Sequence, residues 1–248
     1  MSGFQKWRES TSTSPSGRHL GHYKALLRAE LPMEGIIQII SKIKNPISMK
    51  IFKVLYQIAM LALLTGNTLE RWQTVHSSMI EKDAGKPFIH RLRVIHIYEA
   101  DYNLLLKLLW SRRLTWNSYI NNTLHKSQSG SRPGRRAVEV VLFKEHEYLY
   151  ARQTRTTLMT MDNDAKACYD RVICNLAMMT SRYFGMPINA CKMQANTLKA
   201  MKFHVRTTMG VSNDHYTHTQ ATPVHGSGQG SCASPAIWLL IKIGRAHV

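Results

Sequence analysis

Three acids, Asp162, Asp164 and Asp170, follow the short apolar run Leu158-Met-Thr-Met161. An apolar run of this length reads as a buried strand. A strand that carries carboxylates at its C-terminal edge places hard oxygen donors where Mg2+ can sit. Two metals held in this way support in-line attack of a hydroxyl on a phosphate, because they lower the pKa of the nucleophile and neutralise the leaving pyrophosphate. Acids after a strand are more often caps or solvated turn residues, so this stretch needs a second, independent signal.

The second signal is Gly226-Ser-Gly-Gln229-Gly230-Ser-Cys-Ala-Ser234-Pro235. Its glycines let backbone approach a base pair closely, and Ser234-Pro235 suits an N-cap and first helical position for a helix over 236–243. Together, Asp164-x-x-x-x-Tyr169-Asp170 and G-x-x-Q-G-x-x-x-S-P resemble two catalytic motifs of reverse transcriptases of the non-LTR retrotransposon type, in the family's order. Three further segments resemble the family more loosely. They are Pro15-Ser-Gly17, the pair of Lys82 with Arg93-Val-Ile95, and Gln128-Ser-Gly-Ser-Arg132-Pro-Gly-Arg135, where Ser131 replaces the usual Phe.

The resemblance implies an RNA-directed DNA polymerase that uses Mg2+, an RNA template, a DNA primer and deoxynucleoside triphosphates. It makes Asp164 the metal ligand shared by both ions, because Tyr169 then occupies the gate position that blocks a ribose 2′-hydroxyl. Asp162 is the second choice, since it would put Ala167 in the gate. The backbone carbonyl of Ala165 is a further donor, and Asp170 is expected to cap the following helix or pair with a base. Lys82 and Arg93 would hold the triphosphate, with Arg91 and Lys86 as near alternatives. Gln229 and Gly230 would bind against the nucleotide and its template partner. Arg18 and Lys24 in the first loop and helix, with Arg132, Arg135 and Arg136 in the glycine-bounded turn, would grip nucleic acid.

The implied fold is α+β, a right-hand polymerase with fingers and part of the palm but without the thumb. The corresponding division is 1–32 for an N-terminal loop and helix, 33–156 for fingers and helical scaffold, and 157–242 for a partial palm. Residues 243–248 translate a string that resembles a short-read sequencing adapter, so the biological sequence is expected to end near Lys242. The family's second acidic motif is not in the chain, and the fragment is expected to be inactive by itself. The alternative is a non-catalytic, nucleic-acid-binding remnant of a retroelement. An RNA-templated RNA polymerase is disfavoured by Tyr169. An intracellular site of action, in the nucleus, follows from chromosomal targets.

Bulk properties are compatible with this. The chain has 248 residues, and 44% hydrophobic content is enough for a packed core. Lys and Arg total 33 against 15 Asp and Glu, a formal +18 spread along the chain, which fits a polyanionic partner. The four cysteines form no C-x-x-C pair, so reduced thiols are expected, with neither disulfides nor zinc. The apolar stretch 51–64 carries Lys53 and Gln57 and is too short for a membrane span.

The elements that must position these residues follow from periodicity. Helices are expected over 33–69 with a break at Asn45-Pro46 and a stripe of Met49, Phe52, Leu55, Tyr56, Met60 and Leu63. Others are expected over 99–114, 137–150, 175–184 and 189–201. Ser78–Lys82 and Arg91–Ile97 read as a β-hairpin around Gly85-Lys-Pro87. Residues 202–220 alternate and are rich in Thr and His, as in a hairpin that turns at 210–214.

Overall fold

The computed structural model describes residues 14–19, 21–22, 46–86, 88–124, 129–132, 134–160 and 168–245. Strand alternation decides its sheet. In β1 (Thr74–Glu81), Val75 and Ser77 are fully enclosed while His76 and Ser78 between them are only half-buried. β2 (Leu92–Ile97) pairs antiparallel with β1, and the Lys82 N–H donates to the Arg91 carbonyl at 3.1 Å where the hairpin opens. β3 (Lys202–Thr207) joins the other side of β1 in parallel, and β4 (Gly210–Thr217) closes the sheet antiparallel to β3. The order β2-β1-β3-β4 makes a mixed four-stranded sheet in an α+β fold.

Two strand expectations change. The second hairpin turns at Thr208-Met209, not at 210–214, and absorbs the extra length as an irregularity between His204 and Arg206. Leu158 to Thr160 form no strand, and Leu158 and Met159 are exposed. Both neighbour positions of β1 are taken by β2 and β3, which leaves this run no place beside the central strand.

Pro46 opens α1 (Pro46–Thr65), where a missing N–H costs nothing. The end of α1 is fixed by side chains of another helix. Asn189 and Asn196 donate from Nδ2 to the Leu64 and Gly66 carbonyls, each at 2.9 Å. The inward edge of α1 is Ile58, Ala59, Ala62 and Leu63, rotated from the expected stripe, so Tyr56 faces solvent. A helical stretch expected over 99–114 runs as α2 (Ala100–Leu106), a wider π-type segment over Lys107–Leu114, and α3 (Thr115–Ile120). Of its aromatic and leucine anchors, Tyr102, Leu105, Leu106, Trp110 and Leu114 are buried and Leu109 is half-buried.

α4 (Ala137–Thr154) forms as its pattern predicts but buries no residue, so its Val141, Leu142 and Phe143 remain exposed. α5 (Cys174–Tyr183), α6 (Ile188–Ala200) and α7 (Ser234–Arg245) pack around the sheet's inner face. Two buried polar bonds tie α2 and the π-type segment to α6 and α5. Tyr102 donates to Gln194 Oε1 at 2.5 Å, and Trp110 Nε1 donates to Ser181 Oγ at 3.0 Å. Among the described residues no helix is long and apolar enough to cross a membrane.

Candidate functional site

The glycine-rich loop 226–230 runs between the outer edge of β2 and the turn that holds Tyr169 and Asp170. Gly226 N–H donates to the Val172 carbonyl at 2.8 Å, and Ser227 N–H to the Tyr169 carbonyl at 2.9 Å. On the other side His96 N–H donates to the Gln229 carbonyl at 2.6 Å, so the loop extends the hydrogen bonding of β2. There is no room for side chains at the glycines. A Cβ on Gly228 would lie 1.9 Å from the Tyr98 hydroxyl, and one on Gly230 would lie 2.2 Å from the His96 carbonyl oxygen. Gly226 likewise faces the Tyr169 carbonyl at 2.9 Å. The close approach expected for a base pair is therefore made, in this structure, to the chain's own backbone at Gly226 and Gly230 and to the Tyr98 side chain at Gly228.

Polar contacts fix the loop from below. Asn103 donates from Nδ2 to the Gly230 carbonyl at 3.0 Å and accepts the Cys232 N–H at 2.7 Å, while Ser111 Oγ donates to the Cys232 carbonyl. Ser234 Oγ donates to the carbonyls of Ser227 at 2.7 Å and Gly228 at 2.8 Å. This corrects the expectation of a capping serine: its hydroxyl points back to the loop it must hold, although α7 does begin at Ser234. Ser227 Oγ is buried with no hydrogen-bond partner among the described residues.

Beside this loop lies a cleft of about 400 Å3 between β2, β3, β4, the start of α5 and the C-terminal part of α6. Asp170 is the only acid that lines it among the described residues, and Lys199 with the imidazoles of His96, His218 and His225 is its basic and imidazole lining. Burial lifts the Asp170 carboxyl above its ordinary range, against the opposing effects of a Gln229 hydrogen bond and the Lys82 charge. Tyr169 is also raised by burial, with Cys168 adding to it. Burial alone pushes His96 down to about 4, so this imidazole is neutral at pH 7.

Of the residues singled out from sequence, Lys82, Tyr169 and Gln229 are brought around Asp170, whereas Gly230 lies against the His96 backbone. Asp170 is hydrogen-bonded by Gln229 and feels the Lys82 charge, but it makes no ion pair among the described residues. Arg93 is exposed and pairs in register with Ile80, on the sheet face opposite Val94 and His96, which line the cleft. Arg91 forms an exposed ion pair with Asp83 at 3.3 Å. Arg132 sits over the Tyr119 ring at 5.4 Å, Arg135 pairs with Glu139 at 3.4 Å, and Arg136 precedes α4; none of the three lines the cleft. Arg18 is exposed after a turn whose Ser16 donates from N and Oγ to Glu99, at 2.7 and 2.9 Å.

Asp162, Asp164, Ala165 and Lys24 lie outside the described residues. Among the described residues no group of three or more His, Cys, Asp or Glu can hold a metal ion, and a single carboxylate at Asp170 does not make a Mg2+ site. Sequence reading missed Glu99, buried against Arg71 and Ser16, and Asn103, which clamps the loop. Neither carries a local signal, since both lie in a helix start that reads as ordinary polar punctuation. Compared with known proteins, the chain matches no protein-family model and no curated protein sequence.

Proposed function

We propose that this chain is the nucleotide-binding part of an RNA-directed DNA polymerase, a right-hand enzyme of the non-LTR retrotransposon type, acting on an RNA template, a DNA primer and deoxynucleoside triphosphates. One observation carries the reading. Two segments distant in sequence, each resembling the family by itself, share backbone hydrogen bonds at Tyr169–Ser227 and Val172–Gly226, with Lys82 close enough to act on Asp170. In this reading Lys82 neutralises triphosphate charge, Gln229 is oriented by Asp170 toward the nucleotide, and Tyr169 limits the space beside the sugar. Mg2+ belongs to the proposal through Asp162, Asp164 and the Ala165 carbonyl, which would hold it.

The test is photocrosslinking of an azido-deoxynucleotide to the chain on an RNA template annealed to a DNA primer. Label is expected within 168–172 or 226–230, with a loss of about tenfold when Lys82→Gln removes one charge contact of about 1.4 kcal/mol. Label spread over the surface, unaffected by Lys82→Gln, would sink the reading. A second reading is a remnant that binds nucleic acid without catalysis, a role the formal +18 charge would serve by itself. Retained RNA binding without any nucleotide crosslink would establish it.

A further inference from the structure

The sheet sorts its charge by face. Strand register places Arg93 with Ile80, His76 with His204, Ser78 with Arg206, His204 with His215, and Lys202 with both Thr74 and Thr217. Because side chains alternate, Arg93, His76, Lys202, His204, Arg206 and His215 all share the face turned away from the core. The strands contain one other basic or imidazole residue, His96, and it lies on the inner face. Val75, Ser77 and Phe203, the buried strand residues, also lie on the inner face, whereas no described residue of the outer face is fully buried.

The outer face combines cations with rings. Arg93 and Lys202 are exposed and Arg206 is half-buried, and none of the three makes an ion pair among the described residues. The rings of His76 and His204 meet edge to face at 6.3 Å, and those of His204 and His215 are tilted at 5.3 Å. Burial, then Arg206 and His204, pushes His76 below the ordinary imidazole range, while Glu99 opposes the shift. His76 therefore offers a neutral ring more than a charge. Thr74, Ser78 and Thr217 add hydroxyl groups at registered positions between the cations.

We infer that this outer sheet face is a binding surface for single-stranded nucleic acid, with Arg93, Lys202 and Arg206 on phosphates and the His76–His204–His215 row under bases. Along β3 the two cations stand about 13 Å apart with an imidazole between them, at roughly 3.3 Å per residue. A strand laid across the face meets alternating positive charge and π-surface, the combination that holds unpaired nucleotides without sequence preference. An anionic membrane would be met by the same charge but has no use for a row of rings. The face is opposite the cleft, so a failure here leaves nucleotide crosslinking at Tyr169 and Gln229 untouched, and the reverse also holds.

The experiment measures binding of the intact chain to a fluorescein-labelled 15-nucleotide single-stranded RNA between 50 and 200 mM salt, on the order used for such titrations. The double variant Lys202→Gln/Arg206→Gln is expected to weaken binding about tenfold or more and to lower the salt slope by about 1.4, two contacts at about 0.7 each. Arg93→Gln, at the sheet edge where refolding is not in question, should lower the slope by about 0.7. His215→Ala should weaken binding about fivefold with the slope unchanged, because stacking releases no counterion. The charge-matched pair Lys50→Gln/Lys53→Gln on α1 should change affinity less than threefold by the same reasoning. Equal losses in the α1 pair and the face variants would overturn the assignment. So would phosphatidylserine vesicles losing affinity in the face variants while the RNA does not.

Discussion

At Gly230 the backbone has φ +115° and a Cβ would lie 2.2 Å from the His96 carbonyl oxygen, so two separate penalties act on any side chain there. Left-handed strain and overpacking each cost about 1–3 kcal/mol, and Gly230→Ala is expected to destabilise the chain by about 3 kcal/mol in urea unfolding. Gly185→Ala is the informative comparison, because its φ is also positive while nothing lies within 4 Å of its Cβ; it should cost only the strain. His96 gives a residue-level pH dependence. Its folded pKa of about 4 is below the ordinary 6.5, so its contribution to stability is present above pH 6.5 and is lost as pH falls through 4. That loss amounts to about 3 kcal/mol over the window, and His96→Gln should flatten the stability profile between pH 7 and pH 4.5.

Glu99 shows how one side chain joins elements. It is 1% exposed, accepts two bonds from Ser16, and pairs with Arg71 at 2.9 Å, while Arg71 also engages Asp101 at the start of α2. Removing its carboxylate frees the 14–18 turn from both the short helix Glu70–Gln73 and α2. Glu99→Ala is expected to speed tryptic cleavage after Arg18 at least several-fold and to lower stability by about 3 kcal/mol, the usual cost of breaking a buried pair. Unchanged cleavage would mean that the turn is held by something other than these bonds. The element-level reading of the sequence succeeded where periodicity was long: α1, α5 and α6 begin and end within a residue or two of their caps and breakers. α4 shows the limit, since its apolar pattern predicts a helix correctly but does not say whether anything packs on it.

At the scale of the molecule, sheet and helices share one apolar core in which Trp72, Tyr102, Trp110, Met193 and Leu239 are all at most 1% exposed. Tyr102 and Trp110 also spend their polar atoms inside it, on Gln194 and Ser181. Such a core unfolds cooperatively. Trp110→Ala should therefore shift the far-ultraviolet and tryptophan-fluorescence transitions together, by about 4 kcal/mol. Separate transitions would show that the sheet and the helices are independent units.

The sequence alone determined the type of most elements, the first hairpin, the basic character and the two motif segments, because each is encoded by neighbours a few residues apart. Only tertiary structure decided that loop 226–230 lies against Tyr169 and Asp170, that its glycines are required by the chain's own atoms, and that Leu158–Thr160 stay outside the sheet. It also decided which way Arg93 faces and that histidines from three strands form one row. These depend on strand order and register, which are set by packing between residues far apart in the chain and leave no local trace in any one segment.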